Sequence, residues 1–498
     1  MRIAVINKQR TSGILMPISS LPGENGIGTL GKYAYKFVDY LKKAGQTYWQ
    51  ILPICPTSFA DSPYQSFSTF AGNPYFIDLD VLTEEGYLSK SDYENINWSG
   101  SETSVDYGLL YIERHKLFEK LLVNFKNNIP DDFNKFCQDN AFWLEDFALF
   151  MSIKDYNGGK SFYEWENDIF RRTPDALKEW QNKCDERVLY YKMLQYFFFR
   201  QWGKLKEYAN SNGIFIIGDL PIYVSSDSAD VWSAPAQFCL DEDMKPIEVA
   251  GCPPDAFSED GQLWGNPVYN WDYMKSTGYK WWIKRIEMSL KIYDVVRIDH
   301  FRGFDSYYCI PYGSDNAKQG VWRDGPGMQL FNCVKESLGN VPIIAEDLGY
   351  LTDSVRKLLS DSGYPGMKVL QFAFDPSGSS VYLPHKFDKN CIVYTGTHDN
   401  DTIIGWINTA DRSQVEFARK YLCVDDESKL AVQMMISALS SVADTCILTM
   451  QDVIELGSEA RMNVPSTVGQ NWKWRATESQ ITDKSAEFLL YYTKLFGR

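Results

Sequence analysis

The chain has only four histidines in 498 residues, and its ten cysteines are scattered, with no CxxC pair and no metal-like spacing. That argues against a zinc-ribbon or zinc-finger class. The N-terminal stretch MRIAVINKQR has too short an apolar core for a signal peptide, so the thiols are expected to be reduced in a cytoplasmic setting. Basic charge is scarce as well. Fifty Lys and Arg against 65 Asp and Glu leave a formal net charge of −15, so neither a nucleic-acid partner nor docking on an anionic membrane is expected. The most apolar long window, Ala431 to Met450, is interrupted by Gln433, Asp444 and several serines. It reads as a packed helix followed by a strand rather than a membrane span. No internal repeat, low-complexity tract or charge block stands out.

Aromatic residues, by contrast, are abundant: 15 Trp, 31 Tyr and 29 Phe, or 15% of the chain. Most must build a large core. Surplus Trp and Tyr in loops also suit clefts that stack on flat pyranose faces, and composition alone does not separate the two uses.

Short apolar runs that stop at a polar residue, Gly or Pro recur along the chain. They are GILMPIS (13–19), TYWQILPI (47–54), GIFIIGDLPIYV (213–224), YDVVRID (293–299), VPIIAEDLG (341–349), MKVLQFAF (367–374), CIVYTGTHD (391–399) and CILTMQDVIEL (446–456). Helix-like patterns separate most of them, including GKYAYKFVDYLKKAG, KWWIKRIEMSLKI, GMQLFNCVKESLG and TDSVRKLLSDSG. Eight such alternations predict an α/β fold, a (β/α)8 TIM barrel in a single catalytic domain over 1–498. One connection, DPSGSSVYLPHKFDKN, lacks helix character. The connection over about 55–212 is far too long for a loop, and its amphipathic stretches predict a mostly α subdomain inserted between strands 2 and 3, over the C-terminal face of the barrel. A second insertion, about 225–275 between strands 3 and 4, is expected to supply substrate-binding loops.

Charge on the strand ends is the informative feature, because barrel active sites lie at the C-terminal ends of the strands. Side chains alternate faces along a strand. Val295, Arg297 and Asp299 therefore share a face, as do Ile344 and Glu346, and Phe215, Ile217 and Asp219. THDND adds His398 and Asp399, although Gly396 makes the parity there uncertain. Taken singly, Asp219 reads equally well as a turn cap, His398 better as a loop histidine, and Asp294 and Asp347 as strand-start or capping residues. Their convergence on one rim is left unexplained by those readings. A metal site is the competing functional reading of a carboxylate cluster, but no second histidine stands at ligand spacing and Arg297 would repel a cation. No metal and no cofactor are expected.

Neighbouring strands lie about 4.8 Å apart, so Asp299 and Glu346 can approach the roughly 5–5.5 Å separation of a retaining glycosidase pair. On charge, Asp299 beside Arg297 is expected to stay ionised and act as nucleophile, and Glu346 after the apolar PIIA to keep its proton and act as general acid, then base. Asp399 would stabilise an oxocarbenium-like transition state. A wetter cleft on the same site would give an α-amylase-type retaining glucan hydrolase. A non-catalytic glucan-binding scaffold is a third reading, but it gives no reason to keep all three carboxylates.

The stretches SGILMPISSLPGENGIGTLG, DSPYQSFSTFAGNPYFIDLD, GDLPIYVSSDSADVW, VAGCPPDAFSEDGQLWGNPVYNW, VVRIDHFRGF, IIAEDLG, TGTHDND and RMNVPSTVGQNWKWR, in this order, resemble the bacterial and plant 4-α-glucanotransferases, the amylomaltases or disproportionating enzymes of the α-amylase clan. The resemblance spans nearly the whole chain. It implies transfer of an α-1,4-glucan segment (from maltooligosaccharides, or starch or glycogen fragments) onto the 4-hydroxyl of another glucan, through a retaining double displacement. It implies catalytic roles for Asp299, Glu346 and Asp399, and substrate contacts at Tyr64, Asp219, Trp264, Asn266, Arg297, His398 and Asn463. It also marks departures: Ala256 where some relatives carry a tyrosine, Phe59 at a position that is tyrosine in one relative, and LMPISSLPG in place of a His-Pro form. The loop around Gly251–Phe257 and the inserted segment are expected to act as the lid that keeps water out.

Overall fold

The computed structural model describes residues 10–98, 101–254, 259–349 and 351–498, apart from the side chain of Phe59. Ala256, and with it the 255–257 part of the expected lid, lies outside the described residues, as does the side chain of Phe59.

Eight parallel strands form the central sheet: β1 (Thr11–Leu15), β2 (Tyr48–Gln50), β3 (Phe215–Leu220), β4 (Val295–Ile298), β5 (Ile343–Ala345), β6 (Gly366–Val369), β7 (Cys391–Tyr394) and β8 (Thr445–Thr449). Their spatial order is β6-β7-β8-β1-β2-β3-β4-β5. The two ends of that row meet where the Ala345 N–H donates to the Pro365 carbonyl at 3.0 Å and the Met367 N–H donates to Asp347 Oδ1 at 2.6 Å. This is the expected (β/α)8 barrel. Asp347 is thereby a closure residue of the sheet, and Asp294 likewise serves the backbone, accepting from the Ile216 N–H at 2.8 Å.

The barrel interior is a compact apolar layer of Leu15, Tyr48, Ile217, Val295, Ile344, Met367, Val369, Ile392, Tyr394 and Ile447, all buried. The alternate residues Val296, Ile298, Ile343 and Ala345 pack outward in the larger core shared with the helices. The two-residue period thus fixes a direction: the next side chains after Val295, Ile217 and Ile344 on the same face point up the barrel axis.

Amphipathic helices cover the outside. Lys32–Lys43 buries Ala34, Phe37, Val38, Tyr40 and Leu41, and the chain turns out of it through Gly45, whose φ of 68° a side chain would disfavour. Lys280–Ile292 precedes β4, Met328–Leu338 precedes β5 and Asp353–Ser362 precedes β6. Ala431 to Met450 resolves into the helix Leu430–Ser440 and β8. Among the described residues the β6–β7 connection holds two short 3-10 turns, Leu370–Phe372 and Pro384–Lys386, and no α-helix.

Between β2 and β3 run seven α-helices among the described residues, the longest being Tyr107–Asn127, Ala141–Tyr156 and the 27-residue Asp185–Ser211. The last of these holds the loop that follows β2. Its buried Gln195 exchanges amide hydrogen bonds with both backbone groups of Gly72 (2.7 and 2.9 Å), and Gln201 does the same for Asp78 (2.7 and 3.1 Å). A buried amide that satisfies a backbone donor and acceptor together substitutes for a missing ladder partner.

A second sheet, not read from the sequence, flanks the barrel mouth. It is antiparallel, with strands in the order Gln262–Pro267, Glu248–Cys252, Ser306–Pro311, Val321–Asp324. Two of its strands come from the β3–β4 connection and two from the β4–β5 connection. Among the described residues no helix is long and apolar enough to cross a membrane.

Candidate active site

Register places the first pair of charges. Arg297 on β4 lies opposite Asp219 on β3, and both follow interior residues, Val295 and Ile217, on the same face. Arg297 Nη1 sits 2.7 Å from both Asp219 oxygens and 3.1 Å from Asp299 Oδ1. Asp219 also accepts from the Tyr64 hydroxyl at 2.6 Å. Arg297 and Asp219 are buried, whereas 30% of the Asp299 side chain is open to the cleft. A single guanidinium therefore ties together two acids from adjacent strands and, through Asp219, the ring of Tyr64.

Beyond β4 the ladder continues for two more bonds. The Asp299 N–H donates to Leu220 O at 3.0 Å, and the Glu346 N–H to Ile298 O at 3.1 Å. Next, His300 adopts a left-handed conformation (φ 52°, ψ 49°), which costs about 1 kcal/mol or more outside glycine. That turn aims the His300 N–H at Glu346 Oε2 (2.7 Å), while the Leu348 N–H reaches Oε1 (2.8 Å). Glu346 is thus held through both oxygens by main-chain donors, an arrangement that fixes its direction without a partner side chain. The His300 ring meets Trp264 edge-on, centroids 4.9 Å apart. Burial, helped by the Arg302 charge, lowers its pKa to about 3, so the imidazole is neutral.

A third wall comes from the β7 loop. His398 stacks on Tyr64 with centroids 5.1 Å apart, and Trp472 contacts both rings, at 5.7 Å from Tyr64 and 5.9 Å from His398. Burial lowers the pKa of His398, opposed by neighbouring Asp399, whose Oδ2 is 3.4 Å from Nε2. Asn463 donates from Nδ2 to Asp399 Oδ1 at 2.6 Å. On the opposite wall, Asn266 Nδ2 donates to Val224 O at 2.8 Å, and Gln65 Nε2 donates to Asn266 Oδ1 at 3.0 Å and to Trp264 O at 3.3 Å.

These contacts join Tyr64, Asp219, Arg297, Asp299, His398, Asp399 and Asn463 in one connected set. Trp264 joins Glu346 through His300, and Asn266 joins Trp264 through Gln65. The sequence marked His300 only as a support of the rim, and it passed over two neighbours, Gln65 and Trp472. Each of these two lies inside a motif quoted for another residue, DSPYQ and RMNVPSTVGQNWKWR, so the motif, not its single letters, was the usable signal.

Electrostatics revises one expectation. Arg297 alone was to keep Asp299 ionised; in the structure its Nη1 is shared with both oxygens of Asp219. Burial raises the pKa of Asp299, and repulsion from Asp219, Glu346 and Asp399 adds to it, against the pull of Arg297. Burial raises Glu346 too, opposed by Arg297 and by the two backbone N–H groups. The pair holds a proton to higher pH than free carboxylic acids do, and its titration belongs to the pair rather than to either residue. Chemically the site offers two carboxyl groups at the ends of adjacent strands, one facing open cleft beside a cation and one fixed by main-chain donors. Among the described residues no group of three or more His, Cys, Asp or Glu side chains is placed to hold a metal ion.

Known proteins resemble this chain over nearly its whole length. Over 97% of this chain and the full length of the relative, the chain is 49% identical to a 4-alpha-glucanotransferase of Clostridium butyricum. It is 50% identical to the 4-alpha-glucanotransferase of Streptococcus pneumoniae, covering 99% of this chain and 98% of that one. The solved amylomaltase of Streptococcus agalactiae, in complex with acarbose, superposes with a TM-score of 0.96 at 45% identity, covering 98% of this chain and 100% of that one. The family model described as 4-alpha-glucanotransferase matches residues 16–481, and the chain belongs to that family.

Proposed function

We propose that this 4-alpha-glucanotransferase moves α-1,4-glucan segments from a donor maltooligosaccharide to the 4-hydroxyl of an acceptor glucan or glucose by a retaining double displacement. In the first step an Asp299 carboxylate oxygen bonds to the anomeric carbon, the glycosidic C–O bond breaks, and Glu346 gives its proton to the departing 4-oxygen. In the second, the acceptor 4-hydroxyl loses its proton to Glu346 as its oxygen attacks the same carbon, and the Asp299 ester bond breaks. Asp399 faces the positive charge that develops at the ring. Arg297, Asp219, Tyr64 and His398 hold the donor sugar, with Trp264, Asn266 and Asn463 completing the cleft. The helical insertion of about 55–212 and the segment of about 225–275 wall the mouth and keep water from the glycosyl-enzyme.

The observation that carries this reading is the pairing of Asp299 and Glu346 above one interior layer, on strands joined by the Glu346–Ile298 and Phe301–Glu346 backbone bonds. Adjacent strand ends suit the roughly 5–5.5 Å carboxyl separation of a retaining pair, which favours the covalent route. The net charge of −15 supports the absence of a nucleic-acid partner, and free thiols at all ten cysteines suit a reducing cytoplasm.

Maltotriose as sole substrate tests it. The expected products are glucose together with a ladder of longer maltooligosaccharides; glucose and maltose alone would replace transfer by hydrolysis. Asp299→Asn should slow product formation by about 10³-fold or more while glucan binding survives, and a variant with near-normal rate would overturn the nucleophile assignment.

A further inference from the structure

Asp399 reaches the cleft from a loop that begins where β7 ends, so no strand holds its peptide, and 46% of its side chain is open. Within the loop its N–H donates to Thr397 Oγ1 at 3.3 Å, and Asn400 Oδ1 accepts from Thr397. The rest of its support comes from a turn about sixty residues further along, after β8. Ser458 Oγ donates to Asp401 Oδ2 at 2.7 Å, the Asn463 N–H donates to His398 O at 3.0 Å, and Asn463 Nδ2 reaches the Asp399 carboxylate.

Between these contacts lies Arg461. Its Nη2 donates to the Asp399 carbonyl at 2.8 Å and its Nε to the Asn463 carbonyl at 3.0 Å. One planar guanidinium thus bridges the backbones of both segments that shape this side of the cleft. Two donors in a fixed fork set distance and direction together, which an ammonium on a flexible stem does not.

We propose that Arg461 is a positioning residue for the transfer reaction, holding the Asp399 peptide so that its carboxylate meets the reacting sugar. This rests on the reading of Asp399 as the carboxylate that stabilises the transition state. Arg461 acts through Asp399 and its Asn463 partner. Its loss therefore affects the step in which charge develops on the sugar more than glucan binding by the rings of Tyr64 and Trp264.

Arg461→Met keeps length and removes every donor. In the maltotriose assay it should lower kcat by about 10–100-fold, the effect of an ångström-scale misplacement, with KM within about two-fold. Arg461→Lys, which keeps the charge but has a single donor nitrogen instead of the planar fork, should fall between, and serves in the same comparison if the Met variant does not fold. The decisive readout is a double-mutant cycle, with products followed over hours. Asp399→Asn alone should be slow, and adding the Arg461 substitution to it should cost less than about two-fold more, because the group that Arg461 positions is already disabled. A near-normal Asp399→Asn enzyme would overturn the role of Asp399 itself. A slow Asp399→Asn enzyme that loses the same further factor as wild type, or an Arg461 variant with unchanged kcat, would overturn the positioning role alone.

Discussion

Replacing Asp219 by Asn should move the acid limb of activity to lower pH. Arg297 Nη1 touches both Asp219 oxygens at 2.7 Å and Asp299 Oδ1 at 3.1 Å, so the two carboxylates are less than about 6 Å apart. At that distance and an effective dielectric constant of about 20, two like charges repel by about 3 kcal/mol, roughly two pK units. Asn keeps an oxygen for Arg297 and for the Tyr64 hydroxyl while removing the charge, so Asp299 is left, among the described residues, as the only carboxylate paired with the guanidinium at this point. Asp299 must be ionised to attack, and its pKa is raised in wild type first by burial and then by its carboxylate neighbours. Lowering it lets the same ionised fraction form at lower pH, so the kcat/KM profile of the variant should rise about 1–2 units earlier than that of wild type. Folding stability carries the same sign. A carboxyl group whose folded pKa is raised stabilises the fold fully below its unfolded pKa and loses that contribution as pH climbs through the folded value. In wild type this part of the stability therefore declines with rising pH, and Asp219→Asn should narrow the window over which it does. The assay is maltotriose disproportionation across pH with KM and kcat resolved, beside urea unfolding at the same pH values. A limb that stays within about 0.3 unit, or moves upward, would refute the idea that Asp219 is felt at Asp299.

Two more outcomes are expected from the same geometry. Gly218→Ala should destabilise the protein by about 1–3 kcal/mol, because a Cβ there would stand 2.1 Å from the buried Tyr293 ring; urea unfolding measures this, and a loss under about 0.5 kcal/mol would show that β3 shifts freely. Activity should survive dialysis against a chelator, since Arg297 already supplies the cation that Asp219 and Asp299 share; a loss restored by Ca²⁺ or Mg²⁺ would contradict it.

Much of the barrel was legible because its interior demands apolar side chains at every second position. Val295, Ile217 and Ile344 satisfied that demand, so Arg297, Asp299, Asp219 and Glu346 two or four residues on were forced toward the mouth. The antiparallel sheet was not legible. Its strands are four to six residues long, Glu248–Cys252 contains Gly251 and Gln262–Pro267 contains Gly265 and ends in Pro267, while every residue of Val321–Asp324 is exposed and shows no alternation. Such segments become strands only when partners from two separate connections meet.

By itself the sequence determined the eight barrel strands, the face on which Asp219, Arg297, Asp299 and Glu346 sit and the family to which the chain belongs. Those are consequences of local periodicity and of motifs written in contiguous letters. Tertiary structure alone decided how the charges divide. Arg297 is shared between Asp219 and Asp299, Glu346 is held by the main chain of His300 and Leu348, and Asp399 is steadied by Arg461 and Asn463. The physical reason is that a pKa or a side-chain direction is set by whatever lies within a few ångströms, and in a barrel mouth those neighbours arrive from strands and loops tens to hundreds of residues apart.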